Sequence, residues 1–387
     1  MYKANFKTAV TGFLYIVLVT KPSVSKENEF IENNPLLKDF INTRQLTKEH
    51  HEFDISRLEE HLEHNGSVLK NSIQIQDFHR QKRSGSFDSP VTLFLKAYGE
   101  EFTLELWHVQ SVLDPAATIV TRAGNGKEIK WTGNHPDCFI RGMMTSHAGT
   151  ASISFCDELV GAMTDGMYEY HIEAFPQYLV ETCHLTGNLL VARRTVTTIP
   201  VGVPIYHNPT EFGFHYGSDF NTFAYNEDHD RQRRSATNTS FEIEMALYVD
   251  QKMYEYMEKV LQATTTEKKI ELLMITWNGV QAEYSKHEQL GYNVTILIRN
   301  IVFYQTNPSW YVSSTSLSVN LYSICNGTKN ELAYDHVHLH TGQTGTATSG
   351  MAYVRGSCNP SQRCAVSSVR TFTFYYISAH ELGHTLG

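Results

Sequence analysis

The residues best suited to chemistry stand at the end of the chain. His380-Glu381-Leu382-Gly383-His384 has the form H-E-x-x-H. On a helix, side chains four apart lie one above the other on the same face. Two imidazoles at that spacing converge on one point, as zinc requires at roughly 2.0–2.1 Å per Zn–N bond. Glu381, one position along, is placed to take a proton from a metal-bound water as general base. Zinc lowers that water's pKa toward about 7 and polarises the scissile carbonyl. Thr385-Leu386-Gly387 extends the pattern to H-E-x-x-H-x-x-G. The glycine allows the sharp turn that brings a third histidine back to the metal. The chemistry implied is metal-assisted peptide hydrolysis.

That motif needs a helix, and Phe372 to Leu386 reads as one. Upstream, Glu242 to Val249 alternates apolar and polar residues and predicts a strand, as do Val294 to Tyr304, Asp335 to His340 and Gly350 to Val354. Met253 to Leu261, Ile270 to Gln289 and Leu317 to Ile324 predict helices. Mixed strands and helices suggest an α/β sandwich. Residues 88 to about 200 read as β-rich, with Val91, Leu93 and Leu95 alternating, then Phe102, Leu104 and Leu106. Cys138 and Cys156 bracket a Gly/Thr/Ser-rich stretch that reads as a hairpin. Before it, Glu49-His50-His51-Glu52 and Glu59-Glu60-His61-Leu62-Glu63-His64 invite a metal-binding reading. No cysteine or apolar support surrounds these histidines, so a solvated helix face is the expectation.

A chain of 387 residues suggests two or three domains. Hydrophobic residues at 41% and charged residues at 19% exclude disorder of the whole chain. The net charge of −9 argues against a nucleic-acid partner, which calls for a basic face. Lys3 and Lys7, the apolar run Ala9 to Thr20, and Ser23-Val24-Ser25 have the order of a secretory signal peptide over residues 1–25. A membrane span needs roughly 20 apolar residues, so an uncleaved anchor is the weaker reading. Export agrees with glycosylation sequons at Asn65, Asn238, Asn293 and Asn326. Six cysteines can pair in an oxidising compartment, and sequence alone leaves the pairing open.

Two basic clusters divide the exported chain. Arg80-Gln81-Lys82-Arg83 and Arg231-Gln232-Arg233-Arg234 both fit R-x-[KR]-R, the pattern cut by furin-type proprotein convertases. The second follows an acidic run, Asn226 to Asp230, and precedes Ser235. Residues 26–234 therefore read as a propeptide with its folded core at about 88–200, and 235–387 as the catalytic part.

These motifs together resemble the adamalysin-type metzincins, most closely the ADAMTS (ADAM with thrombospondin motifs) proteases. Asp137-Cys138-Phe139 and Ser154-Phe155-Cys156-Asp157-Glu158-Leu159-Val160-Gly161 look like that family's pro-domain core. Ala246 to Met253 resembles its first strand and helix start, and Gly350-Met351-Ala352-Tyr353-Val354 its substrate-facing edge strand. Gly356 to Val366 resembles the loop before the zinc helix. The resemblance implies a mixed α/β chain: a β-rich propeptide domain, then a metzincin α/β/α catalytic domain truncated at the zinc helix. It implies a secreted zinc endopeptidase zymogen that cuts extracellular-matrix or surface proteins. Structural calcium is implied at Glu244 and Asp335, which bare sequence reads as ordinary strand-end acids. It also implies Cys325–Cys364 and Cys138–Cys156 bridges, with Cys358 awaiting a partner. Cys183 is then left over, either as a switch thiol on the open zinc position or as a buried free cysteine. Two departures stand out. The chain stops short of the expected third histidine, and the segment Thr341 to Ala347 lacks a usual cysteine pair. A fragment is the expectation, and a genuine short product the other reading. A membrane-anchored ADAM-type sheddase and a non-catalytic secreted binding product remain the alternative functions.

Overall fold

The computed structural model describes residues 30–43, 52–72, 90–195, 240–285, 293–368 and 375–387, less residues 32, 57, 65, 66, 109, 110, 148, 157, 332, 345, 347 and 358. The signal peptide and both basic clusters lie outside the described residues.

The first half of the chain opens with helix α1 (Pro35–Thr43). Strands β1 (Glu52–Ser56), β2 (Leu58–His64), β3 (Ser67–Ser72), β4 (Val91–Ala97) and β5 (Glu100–His108) follow. Then come β6 (Leu113–Arg122), β7 (Glu128–Lys130), β8 (Phe139–Met144), β9 (Gly149–Ser154), β10 (Val160–Thr164) and β11 (Tyr168–Ala174). A short helix α2 (Gln177–Thr182) leads to β12 (Leu189–Thr195). Ten of these strands form one antiparallel sheet in the order β1-β12-β11-β10-β9-β8-β5-β4-β2-β3. Its period-two patterns bury Leu93, Leu95, Phe102, Leu104, Leu106, Ile153 and Ile172 in one cluster. The Cys138–Cys156 bridge closes the β8–β9 hairpin.

Glu52 and Glu59 to His64 correct the helix-face expectation, since they lie on strands and not on a helix, while Glu49 to His51 lie outside the described residues. Phe53 sets the course of β1, because it buries against Leu37, Ile41 and Leu190. With that side chain fixed, β1 completes the free edge of β12, Phe53 opposite Ala192. The sheet of the first half thus also takes in strands well before residue 88.

The second half supplies β13 (Ser240–Val249), α3 (Gln251–Lys259), α4 (Thr266–Tyr284), β14 (Asn293–Tyr304) and α5 (Leu317–Thr328). Next are β15 (His336–Thr341), β16 (Gly350–Ala352), β17 (Cys364–Ser368) and α6 (Tyr375–Leu386). The sheet order is β16-β17-β15-β13-β14-β6-β7. Neighbours β14, β13, β15 and β17 run parallel, while β16 is antiparallel to β17 and β7 to β6. Alternation along β13 assigns the two faces. Met245, Leu247 and Val249 pack under α4 and α6, while Ala246 and Tyr248 pack under α5. The Cys325–Cys364 bridge ties α5 to β17.

Local chemistry sets α4. Thr265 caps it, its hydroxyl accepting from Lys268 N at 3.2 Å. Its residues are buried nearly all round, which requires neighbours on opposite sides. One side is the catalytic sheet. The other is the first-half sheet, and β6 and β7 of the first half leave that sheet to extend the second. Among the described residues no helix is long and apolar enough to cross a membrane.

Candidate active site

The H-E-x-x-H residues occupy the middle and end of α6, and three contacts hold that helix. Its first residue, Tyr375, lies flat against Gly279 of α4, where a Cβ would come within 2.5 Å of the ring. Tyr284 Oη donates to Ala379 O at 2.9 Å. On the far side, Arg355 N donates to His384 O at 2.8 Å and Ser357 N to Thr385 O at 3.0 Å. The loop from Gly356 to Val366 therefore clasps the last turn. Leu382 and Ile377 anchor the inner face.

On this frame the two imidazoles meet with ring centroids 4.4 Å apart and planes nearly perpendicular, at 89°. Both Nε2 atoms are buried and have no hydrogen-bond partner. The same holds for both carboxylate oxygens of Glu381, which is fully buried. An orphaned buried polar atom costs about 1–3 kcal/mol, so four at one place call for a ligand. Two unprotonated imidazole nitrogens one helical turn apart suit zinc. Burial pushes His380 down to about 4, with His384 adding repulsion, and burial lowers His384 as well. Both rings are therefore neutral near pH 7 and free to ligate. Burial alone pushes Glu381 up to about 8, and a divalent cation beside it acts in the opposite direction.

Strand β16 passes directly over the acid. A Cβ on Gly350 would stand 2.4 Å from Glu381 Oε1 and 2.6 Å from Glu381 Cγ. Glycine at this place leaves room for the carboxylate beneath the sheet's edge. The alternation pattern identifies Gly350 as strand and gives no hint of that role.

The other site residues divide by location. Glu244 and Asp335 are neighbours, but protein groups already engage them. Arg299 donates to Glu244 Oε1 from Nε at 2.9 Å and approaches it with Nη2 at 2.7 Å. Asp335 Oδ2 accepts from Glu244 N at 3.0 Å. A guanidinium thus stands against Glu244. Among the described residues no three His, Cys, Asp or Glu side chains gather to hold a metal. Cys183 ends α2 and packs with Phe175, Leu179, Leu37 and Ile41, its thiol 3.8 Å from Asn34 Oδ1. That cluster contains no residue of α6, and the thiol is unbridged and half-buried there. The leucine and phenylalanine spacing around it outweighs the polar Glu181-Thr182 flank. Asn326 is exposed on α5, its Oδ1 accepting from Lys329 Nζ at 3.0 Å, and Asn293 is half-buried at the start of β14. Asn65, Asn238, Cys358 and the expected cut at Arg231, Arg233, Arg234 and Ser235 lie outside the described residues.

Comparison with known proteins adds an independent line. Residues 58–145 match the reprolysin family propeptide, and residues 271–387 match the reprolysin-like metallo-peptidase family M12B. The human protein "A disintegrin and metalloproteinase with thrombospondin motifs 2" is 24% identical over 261 residues, covering 62% of this chain and 21% of its own. Human "A disintegrin and metalloproteinase with thrombospondin motifs 14" is 24% identical over 306 residues, covering 75% of this chain and 24% of its own. The chain thus spans about a quarter or less of the length of these relatives. Among solved structures, metalloproteinase-II from Bacteroides fragilis aligns over 80% of this chain and 84% of its own, with 13% identity and a TM-score of 0.38.

Proposed function

The chain belongs to the reprolysin-like M12B metallopeptidases and carries their propeptide, and from that premise we propose that it is the zymogen of a secreted zinc endopeptidase. Its substrates in this reading are extracellular-matrix or cell-surface proteins. The observation that carries the reading is the set of buried, unpartnered atoms on α6: Nε2 of His380, Nε2 of His384 and both oxygens of Glu381.

His380 and His384 would hold the zinc, which when bound lowers the pKa of a water and polarises a carbonyl. Glu381 supplies the base. Its carboxylate takes the proton of the attacking water and returns it to the leaving amine. The buried setting removes competing water from that carboxylate, and the bare Gly350 backbone lets it stand close under β16. A substrate strand laid along the free edge of β16 would place its carbonyl beside this acid, since β16 ends the sheet on that side. Maturation in this reading is a convertase cut between Arg234 and Ser235. Latency before the cut is the propeptide's role.

The experiment is Glu381→Gln in the natural full-length protein. The variant should keep its zinc and lose peptidase activity by about 10²–10⁴-fold, the usual contribution of a positioned base. Full activity with zinc present would remove Glu381 from the mechanism.

A further inference from the structure

We propose that Asn326 carries an N-linked glycan whose first sugars lie over Tyr322 and Trp310 and cover the apolar outer face of α5. The inference needs the chain to enter the secretory pathway, as the zymogen reading above holds, and concerns a part of the molecule that reading does not use.

The apolar face comes first. Four exposed hydrophobic side chains, Trp310, Val312, Val319 and Tyr322, belong to one helix and the loop before it. Tyr322 is 63% exposed and Val312 55%. Surface apolar residues scattered singly need no explanation, but a group held together does. This group is held. Val312 N donates to Ser323 Oγ at 3.3 Å, Ser314 N to Asn320 Oδ1 at 2.8 Å, and Asn320 Nδ2 back to Ser314 O at 2.8 Å. The loop is thus fastened to α5, and the face is formed in advance of any occupant.

The sequon lies on that same face. Val319, Tyr322 and Asn326 stand at i, i+3 and i+7, one stripe of the helix. Asn326 is exposed, and its Oδ1, not the amide nitrogen that takes a sugar, makes the contact with Lys329 Nζ. Gly327, the middle residue of Asn326-Gly327-Thr328, lets the Trp310 indole settle against it, for a Cβ there would stand 2.2 Å from Trp310 Cε3. Asn326 therefore has Tyr322 one turn before it and Trp310 against the residue after it. A pyranose ring has an apolar C–H face and a polar hydroxyl rim, so it can lie on an aromatic ring and keep its wet side outward. Helix α5 packs on the opposite face of the sheet from α4 and α6, so the glycan stands on the side away from His380, Glu381 and His384.

The fold also dates the modification. Transfer joins Asn326 Nδ2 to C1 of the first N-acetylglucosamine of a polyprenyl-pyrophosphate-linked oligosaccharide. The C1–O bond to the pyrophosphate breaks, that oxygen keeps the electron pair, and Nδ2 gives up one proton. The acceptor motif requires the hydroxyl of its third residue. In the folded chain Thr328 is fully buried, its hydroxyl donating to Ile324 O at 2.8 Å. Cys325, next to Asn326, is bridged to Cys364, 39 residues on. The sugar is therefore added before α5 closes and before that bridge forms.

The test is the full chain secreted from cultured eukaryotic cells, digested and mapped by mass spectrometry. The Asn326 peptide should carry the glycan, and peptide-N-glycosidase should leave an aspartate at that position. Hydroxyl-radical labelling then reads the cover. Labelling follows exposed area, and a sugar over one face of a ring hides about half of it. Tyr322 and Trp310 should therefore label roughly twofold faster once the glycan is gone. Two routes remove it: Asn326→Gln, which keeps an amide within reach of Lys329, and enzymatic deglycosylation of the folded wild-type protein. Met167 and Tyr178, comparably exposed but in the first half of the chain, should label alike throughout. A bare Asn326 in the secreted protein would overturn the site, and equal labelling with and without the glycan would overturn the cover. A second form is led by the signal peptide of an unrelated secreted protein. Failure of residues 1–25 to export the chain therefore sinks only the secreted reading, while occupancy of Asn326 is still read from this form.

Discussion

The catalytic domain holds two groups of histidines, and they differ in one respect that matters. His336, His338 and His340 stand on one face of β15, all buried, with successive ring centroids 5.7 and 5.0 Å apart. His380 and His384 stand on one face of α6, half-buried. By number and burial the strand group is the stronger metal candidate. Its donors, however, are turned to protein. His340 Nε2 accepts from Trp277 Nε1 at 3.0 Å, His338 Nε2 meets Ser367 Oγ at 2.8 Å, and His336 Nε2 lies 3.4 Å from His338 Nδ1. Only His336 Nδ1 in that group lacks a partner. On α6 both Nε2 atoms are unpartnered, with an unpartnered carboxylate beside them. Converging free donors mark a metal centre; clustering of imidazoles does not.

Metal affinity should break the two groups apart most widely. Loss of a group that hydrogen-bonds a metal ligand typically weakens metal binding by about 10–100-fold, so loss of a ligand should exceed the upper end. His380→Ala or His384→Ala should therefore reduce zinc affinity by about 100-fold or more. His338→Gln, which keeps a hydrogen bond within reach of Ser367, should leave zinc content unchanged. Zinc titration with a competing chelator reads both. Equal losses from the strand and helix variants would dissolve the distinction.

A smaller effect should separate geometry from ligation within the helix group. Gly350→Ala places a methyl 2.4 Å from Glu381 Oε1, so the carboxylate must move by about an ångström. Displacement of that size costs roughly 10²-fold in rate. The fall should appear in kcat with zinc content intact, because the three atoms nearest the new methyl all belong to Glu381 and none to a ligand imidazole. A variant with unchanged kcat would show that Glu381 has another productive position.

Much of the helix group was legible without coordinates, since H-E-x-x-H names both ligands and the acid and local period fixes their face. The strand of His336, His338 and His340 was legible as a strand, and its i, i+2, i+4 histidines were available as a signal of one shared face. What they face was not, because Trp277 and Ser367 arrive from distant segments. The same limit explains β6. It falls in the stretch that reads as β-rich, which carries no information on whether Ile119 will lie opposite Ile301 or a strand of the first half. The surroundings of Cys183 show the same limit: its polar flank is local, whereas the Leu37 and Ile41 side chains of its cluster come from α1.

The last contrast is in response to acid, and it follows from burial of the strand group. Desolvation pushes His336 and His340 down to about 3, and His338 well below its ordinary value, where the neighbouring rings add repulsion. The Arg363 guanidinium also holds His336 down. In the unfolded chain these imidazoles titrate near pH 6.5. Above that pH both states are neutral and the group has no effect on stability. As pH falls below about 6.5 the unfolded chain takes up protons that the folded core refuses, so stability falls, by up to about 1.4 kcal/mol per pH unit for each histidine. The window is pH 6.5 down to about 5, below which carboxylates join. Urea unfolding followed by tryptophan emission suits the measurement, since Trp277 is buried against His338 and His340. His340→Phe should lower stability at pH 7.5, because Trp277 loses its acceptor, yet flatten the slope between pH 6.5 and 5 by about a third of the group's share. A slope unchanged in that variant would show that the strand histidines take protons as readily in the folded protein as in the unfolded one.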